Sequence, residues 1–216
     1  MKITKELLRE KGACAAGYRD FLKEFPKDKY PEGVEYQELL DCCAEKNFGY
    51  GTWLLEVFGR TDDVRRIDGD LITEKSIIFA GRLEVTGRIK AGCGIKAGCG
   101  IEAGCGIEAG CGIEAGWGIE AGCGIKAGWG IEAGWGIEAG WGIKAGCGIK
   151  AGCGIKAGCG IEAGWGIEAG WGIEAGGEFG IYAGLRVRVT SGNRKITAKT
   201  KPDNIMCGEF EEAKDD

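Results

Sequence analysis

The chain reads as a mainly β protein, a parallel β-solenoid behind a small N-terminal α-helical domain, and three observations carry that reading. From residue 71 the sequence can be ruled into lines of six without a gap, first irregular ("LITEKS", "IIFAGR", "LEVTGR") and then as near copies of "IKAGCG" from Ile89 to "IEAGGE" at Ile173. Within a line, apolar residues alternate with charged residues and glycines, the period of a strand with one buried face. Residues 1–60 lack these lines and place their apolar residues at helical spacing instead. The 43 glycines accompany only 3 prolines. Their recurrence, with an isoleucine in every line, points to a repeat architecture rather than a linker, and excludes collagen, whose glycine returns every third residue among abundant prolines.

The elements follow in order. Thr4 caps a first helix carrying Leu7 and Leu8, and "CAAGYRDFLKEF" sets Tyr18, Phe21, Leu22 and Phe25 on one helical stripe. Pro31 and Gly33 mark a turn before a third helix in "EYQELLDCCAEKN". A fourth, "YGTWLLEVFG", is apolar nearly all round at Trp53, Leu54, Leu55, Val57 and Phe58, which suits a helix sandwiched between the head and the repeats. This assigns residues 1–60 to a helical head, 61–70 to a polar bridge, 71–190 to the solenoid, and 191–216 to a C-terminal cap and acidic tail.

A six-residue strand cannot bury its own face. Stacked coils about 4.8 Å apart solve this, with isoleucine over isoleucine and backbone bonds running from coil to coil. The alternation puts Ile, Ala and the Cys or Trp of each line inside, with Glu or Lys and the glycines outside. The irregular first lines and "GLRVRVTSGNRKITAKT" serve as caps that protect the open sheet edges.

The line "IEAGCG" resembles the hexapeptide-repeat left-handed β-helix, whose pattern is an aliphatic residue, a small or acidic one, and a small residue in fifth place. The resemblance implies a left-handed, three-sided coil of about 18 residues, three lines to a coil. "IKAGWG" departs from the pattern at its Lys and its Trp, and a flatter coil of two lines also fits. Charge pairing along the Glu/Lys column does not discriminate, with opposite-charge neighbours at 8 of 12 positions for a step of 18 and 8 of 13 for a step of 12. The three-line coil is preferred because it sets Trp129, Trp135 and Trp141 in one layer and Cys147, Cys153 and Cys159 in the next. The whole chain is also similar to uncharacterised bacterial and phage proteins in which a short helical head ("ACAAGYRDFLKEFP", "WLLEVFG") precedes Gly-Ile-x-Ala-Gly-x lines closing in "GIYAGLRVRV". That likeness implies a mobile-element origin.

Composition bounds the chemistry. The chain has no histidine, which removes Ser/His and Cys/His nucleophile pairs, Cys2His2 zinc sites and the general base on which hexapeptide-repeat acyltransferases rely. A near-perfect repeat also leaves no unique pocket, and no phosphate loop is present, so the expectation is a protein without catalytic residues, enzyme activity or cofactor. The N-terminus is charged and lacks the apolar core of a secretory signal, and no apolar window is long enough to span a bilayer. A cytoplasmic protein off the membrane is expected, with its 12 cysteines kept as thiols and no metal bound. Cys and Trp share one slot, and a metal site does not accept tryptophan as a ligand; both read as core filler.

The net charge of −5 argues against direct nucleic-acid binding. The outward carboxylates are the candidate interaction surface: Glu102, Glu108, Glu114 and Glu120 run without a lysine, as do Glu162, Glu168 and Glu174. A stiff rod with spaced carboxylates imitates the charge line of a nucleic acid. The functional expectation is a rod-shaped interaction protein, an anti-defence factor that binds a host nucleic-acid-handling protein. The alternatives are a self-associating scaffold or spacer and, against the missing histidine, an acyltransferase.

Overall fold

The computed structural model describes residues 1–185 and 194–213. In the head, β1 (Lys2–Ile3) pairs antiparallel with β2 (Val34–Glu35). Around this pair lie α1 (Lys5–Glu10), α2 (Ala15–Glu24), α3 (Tyr36–Glu45) and α4 (Gly51–Phe58). The Thr4 hydroxyl accepts from the Leu7 amide at 3.1 Å, the cap its position predicts.

Beyond the head the chain is a parallel β-solenoid with three sheets of eight, eight and seven strands. Successive strands step around three faces, so each lies over the strand three lines before it: Ile107 on Ile89, Ile113 on Ile95, Ile119 on Ile101. We call the faces first, second and third in that order. The coil is therefore three-sided, with three lines to a turn. The stretch read as a polar bridge already belongs to the rod, because β3 (Val64–Ile67) pairs in register with β6 (Arg82–Val85) on the third face.

The interior is a column of isoleucine and alanine. Ile95, Ile113, Ile119 and Ile161 are wholly buried, and the alanine two places on in each line is nearly so. Each such isoleucine contributes roughly 1.5–3 kcal/mol of apolar transfer. Backbone groups are satisfied between coils: the Ile95 amide donates to the Gly112 carbonyl and the Cys111 amide to the Cys93 carbonyl, at 3.0 and 3.1 Å.

The tryptophans are not in this core. Trp129, Trp135, Trp141, Trp165 and Trp171 are between 48 % and 70 % exposed, which corrects the expectation that Trp lies inside with Ile and Ala. The strand in each line is only three residues long, Ile-(Glu/Lys)-Ala, and the alternation ends at the glycine after it. There the chain turns against the coil below: a Cβ on Gly128 would lie 2.0 Å from the Gly110 carbonyl oxygen. The turn resets the phase and points the fifth residue outward at a corner. Trp129, Trp135 and Trp141 do share one coil and Cys147, Cys153 and Cys159 the next, but they layer the outer edges of the rod.

At the far end the break at Phe179 is an insertion, and Ile181, which pairs with Ile161, comes two positions later than the regular step would bring it. β23 (Lys195–Ala198), β24 (Ile205–Cys207) and β25 (Glu209–Glu212) then continue the first two faces. The third face ends at β21 (Ile173–Ala175), where the Asn204 side-chain amide donates to the Gly176 carbonyl at 3.3 Å. Part of the expected cap segment, residues 186–193, and the last residues of the acidic tail, 214–216, lie outside the described residues.

Head and rod share a joint. Ile78 and Ala80, within and just beyond the second-face strand β5 (Ile77–Phe79), belong to the apolar core of the head, and Gly51 at the start of α4 lies against the Ile78 side chain. The Gln37 side chain clamps the same strand, donating to the Ile78 carbonyl at 2.8 Å and accepting from the Ala80 amide at 3.1 Å.

Candidate interaction face

An outward charge occupies the second place in each regular line from Ile89 to Ile173, and the three-line step sorts these charges into columns. The run Glu102, Glu108, Glu114, Glu120 is thereby split among faces. Glu102, Glu120 and Glu174 lie on the third face, Glu108 and Glu162 on the first, Glu114 and Glu168 on the second. Most are paired with a cation of the neighbouring coil: Glu114 with Lys96 at 2.6 Å, Glu168 with Lys150 at 3.5 Å, Glu108 with Lys126 at 3.7 Å, Glu174 with Lys156 at 4.0 Å, and Glu162 with Lys144. These are solvated pairs of small individual worth.

The third face differs. In register from coil to coil it carries Glu84, Glu102, Glu120 and Glu138, four carboxylates at the strand-stacking interval of about 4.8 Å. Arg66 and Arg82 neutralise the lower end, Arg66 meeting Glu84 at 2.8 Å and Arg82 meeting Glu102 at 2.8 Å. Among the described residues no lysine or arginine lies within ion-pair distance of Glu120 or Glu138. Like charges also meet once on each other face, at Glu114 over Glu132 and Lys126 over Lys144, but among the described residues nowhere else in an unbroken column of this length. Glu84 and Glu138 escape a reading along the chain, because they join the column only at a step of three lines; that spacing is the signal that finds them.

One edge of this face is aromatic. Trp117 and Trp135 stack in successive coils with ring centroids 5.9 Å apart and planes 17° from parallel, and the Arg60 guanidinium lies over Trp117 at 5.0 Å. Both indoles share a groove with Glu102, Glu120, Glu138 and Glu174, whose lining also includes Arg82, Lys156 and Lys201. Solvent-facing tryptophans are what a base-stacking platform needs. Here the stacked pair borders carboxylates, which repel a phosphate backbone. The groove instead suits a cationic, partly apolar protein surface.

No group of three or more Cys, Asp or Glu among the described residues is arranged to hold a metal ion. The 12 cysteines are free thiols, ten of them wholly or partly accessible; burial pushes the Cys43 thiol up to about 12. Among the described residues no helix is long and apolar enough to cross a membrane.

Residues 1–61 match the family described as the YdhT N-terminal domain, a match that ends where the rod begins. Neither the curated proteins nor the solved structures contain a significant match to the chain.

Proposed function

We propose that this chain is a non-enzymatic interaction protein whose rod offers its third face to a basic groove on a protein partner, in the manner of a nucleic-acid mimic. The observation that carries the reading is the unbroken column Glu84, Glu102, Glu120, Glu138. Like charges directly opposite one another in a sheet oppose stability by a few tenths of a kcal/mol to about 1 kcal/mol each. The rest of the rod mostly avoids that cost by alternating Glu with Lys, so a face that retains it is accounted for by use. Stiffness adds to the effect, since a rod holds its charges in line without ordering cost on binding. A partner that normally handles DNA or RNA fits this chemistry. With it goes the view of the protein as a hexapeptide-repeat anti-defence factor of a mobile element, acting in the cytoplasm.

The test uses the immobilised full-length protein, a lysate of its source cell, and double-stranded DNA as competitor. The expected result is a retained nucleic-acid-binding protein that DNA displaces, that elutes steeply with salt, and that is lost when Glu102, Glu120 and Glu138 are changed together to Gln with unchanged circular dichroism. Retention of the same partner by residues 1–60 alone, at full strength, would sink the proposal. The self-associating alternative has its own support in the exposed tryptophans at the corners, which a second rod could cover. It predicts a mass that grows with concentration and survives the Glu to Gln changes.

A further inference from the structure

The head contains a cavity that the rod reading does not use. It measures about 280 Å³ and opens between α2, α3 and the start of α4. Its walls are Phe21, Leu39, Phe48, Trp53 and Leu54, with the Cys43 thiol in the lining. A cavity of roughly 150 Å³ lined by such residues accepts a benzene ring, so this one has room for a two-ring body. Burial holds the Cys43 thiol neutral at physiological pH, which keeps the interior uncharged.

The mouth has one sign of charge. Asp20 and Glu24 are the ionic side chains that line the cavity, and among the described residues no lysine or arginine does so. Glu24 has its own cation outside the cavity, Lys46 at 3.6 Å. Asp20 accepts a hydrogen bond from the Tyr50 hydroxyl at 2.9 Å, which orients its carboxylate without neutralising it. An apolar chamber of two-ring size with one oriented carboxylate that has no ion-pair partner among the described residues is the arrangement that selects an aromatic or bulky aliphatic amine: the body removes apolar surface from water, and the ammonium makes a charge-assisted hydrogen bond to Asp20.

We propose that the head cavity binds a small amphipathic cation, an apolar group of about two rings carrying an ammonium that meets Asp20. This site lies apart from the third face of the rod, so neither proposal depends on the other.

The test compares two probes of the same body and opposite charge, tryptamine and indole-3-acetate, on the full-length protein by calorimetry and thermal shift. Tryptamine should bind and raise the melting temperature, and indole-3-acetate should bind at least about tenfold more weakly, the ratio expected of one charge-assisted hydrogen bond. Asp20→Asn, at the partly exposed mouth, should erase that ratio while leaving the fold unchanged. Cys42→Phe, from the cavity wall, should abolish binding of both probes. Equal affinities for the two probes, no binding of tryptamine at millimolar concentration, or tryptamine binding that survives Asp20→Asn with its preference intact would each overturn the proposal.

Discussion

Gly116 and Gly118 stand two places apart in one line of the repeat, and only the first is bound by its surroundings. A Cβ on Gly116 would lie 2.1 Å from the Gly98 carbonyl oxygen of the coil below, whereas one on Gly118 would rest 3.6 Å from Gly136, an ordinary contact. Gly116→Ala should therefore force a backbone shift and lower stability by about 1–3 kcal/mol, the range for overpacking. Gly118→Ala should be neutral or stabilise by about 0.5 kcal/mol through the unfolded chain. Urea midpoints of the two variants check this, and equal losses would contradict it. The same glycine explains why the sequence is legible only in part at this scale. Ile, Glu or Lys, and Ala obey a period of two, so their facing can be read directly. Cys and Trp follow the corner, where the period lapses, and nothing in a six-letter line announces that the strand has stopped after three.

Among the elements, α3 does the most to join head and rod, and it does so from its first turn. Gln37 satisfies the Ile78 carbonyl and the Ala80 amide of the rod, while within the head the Tyr36 hydroxyl shares its proton between the carbonyls of Leu54 and Gly59, at 2.9 and 3.1 Å. Gln37→Ala leaves two backbone groups without partners and should cost about 1–3 kcal/mol, seen as faster amide exchange in α3 and the second-face strand it clamps. Burial pushes the Tyr36 phenol up to about 12. The neutral form is thus the one that folding favours, so this contribution is complete below the ordinary phenol value of about 10 and is lost as pH rises through about 12. Tyr36→Phe should flatten the alkaline limb of the stability profile between those values. The apolar character of α4 reads as a helix sandwiched against the repeats, whereas the rod meets it at its start, Gly51 against Ile78 and the Thr52 hydroxyl accepting from Lys96, and α3 is the helix that packs on β5. The Gln37 clamp is not readable, because it joins groups 41 and 43 residues apart that no local pattern relates.

For the whole molecule, the quantity that organises everything is the step of three lines. Hydrophobic pattern alone is satisfied by a coil of any whole number of lines, and the Glu/Lys column scores alike for two lines and for three, so the solenoid is legible and the sorting of its charges into faces is not. Once the step is known, the third face stands out as the place where repulsion is retained. Glu120→Gln should then raise the melting temperature at low salt, because Glu120 has carboxylates both above and below it, and the gain should vanish at high salt. A fall in stability at low salt would mean that Glu120 is held by a cation. Removing a full coil should shorten the rod and keep its columns aligned.

That step also governs what the gene can do by slippage. Tandem repeats of this similarity invite recombination to drop or add single lines, and a single line is one face, one third of a coil. Loss of residues 125–130 would leave the Ile and Ala core continuous, so the product would still fold as a rod. Every column above the loss would move to the preceding face, however, setting Lys144 over Glu120 and carrying Glu138 to the second face. A lineage carrying this gene can therefore cut the acidic column of the third face from four carboxylates to three, and reassign every charge beyond it, by a single copying error and without substituting one residue.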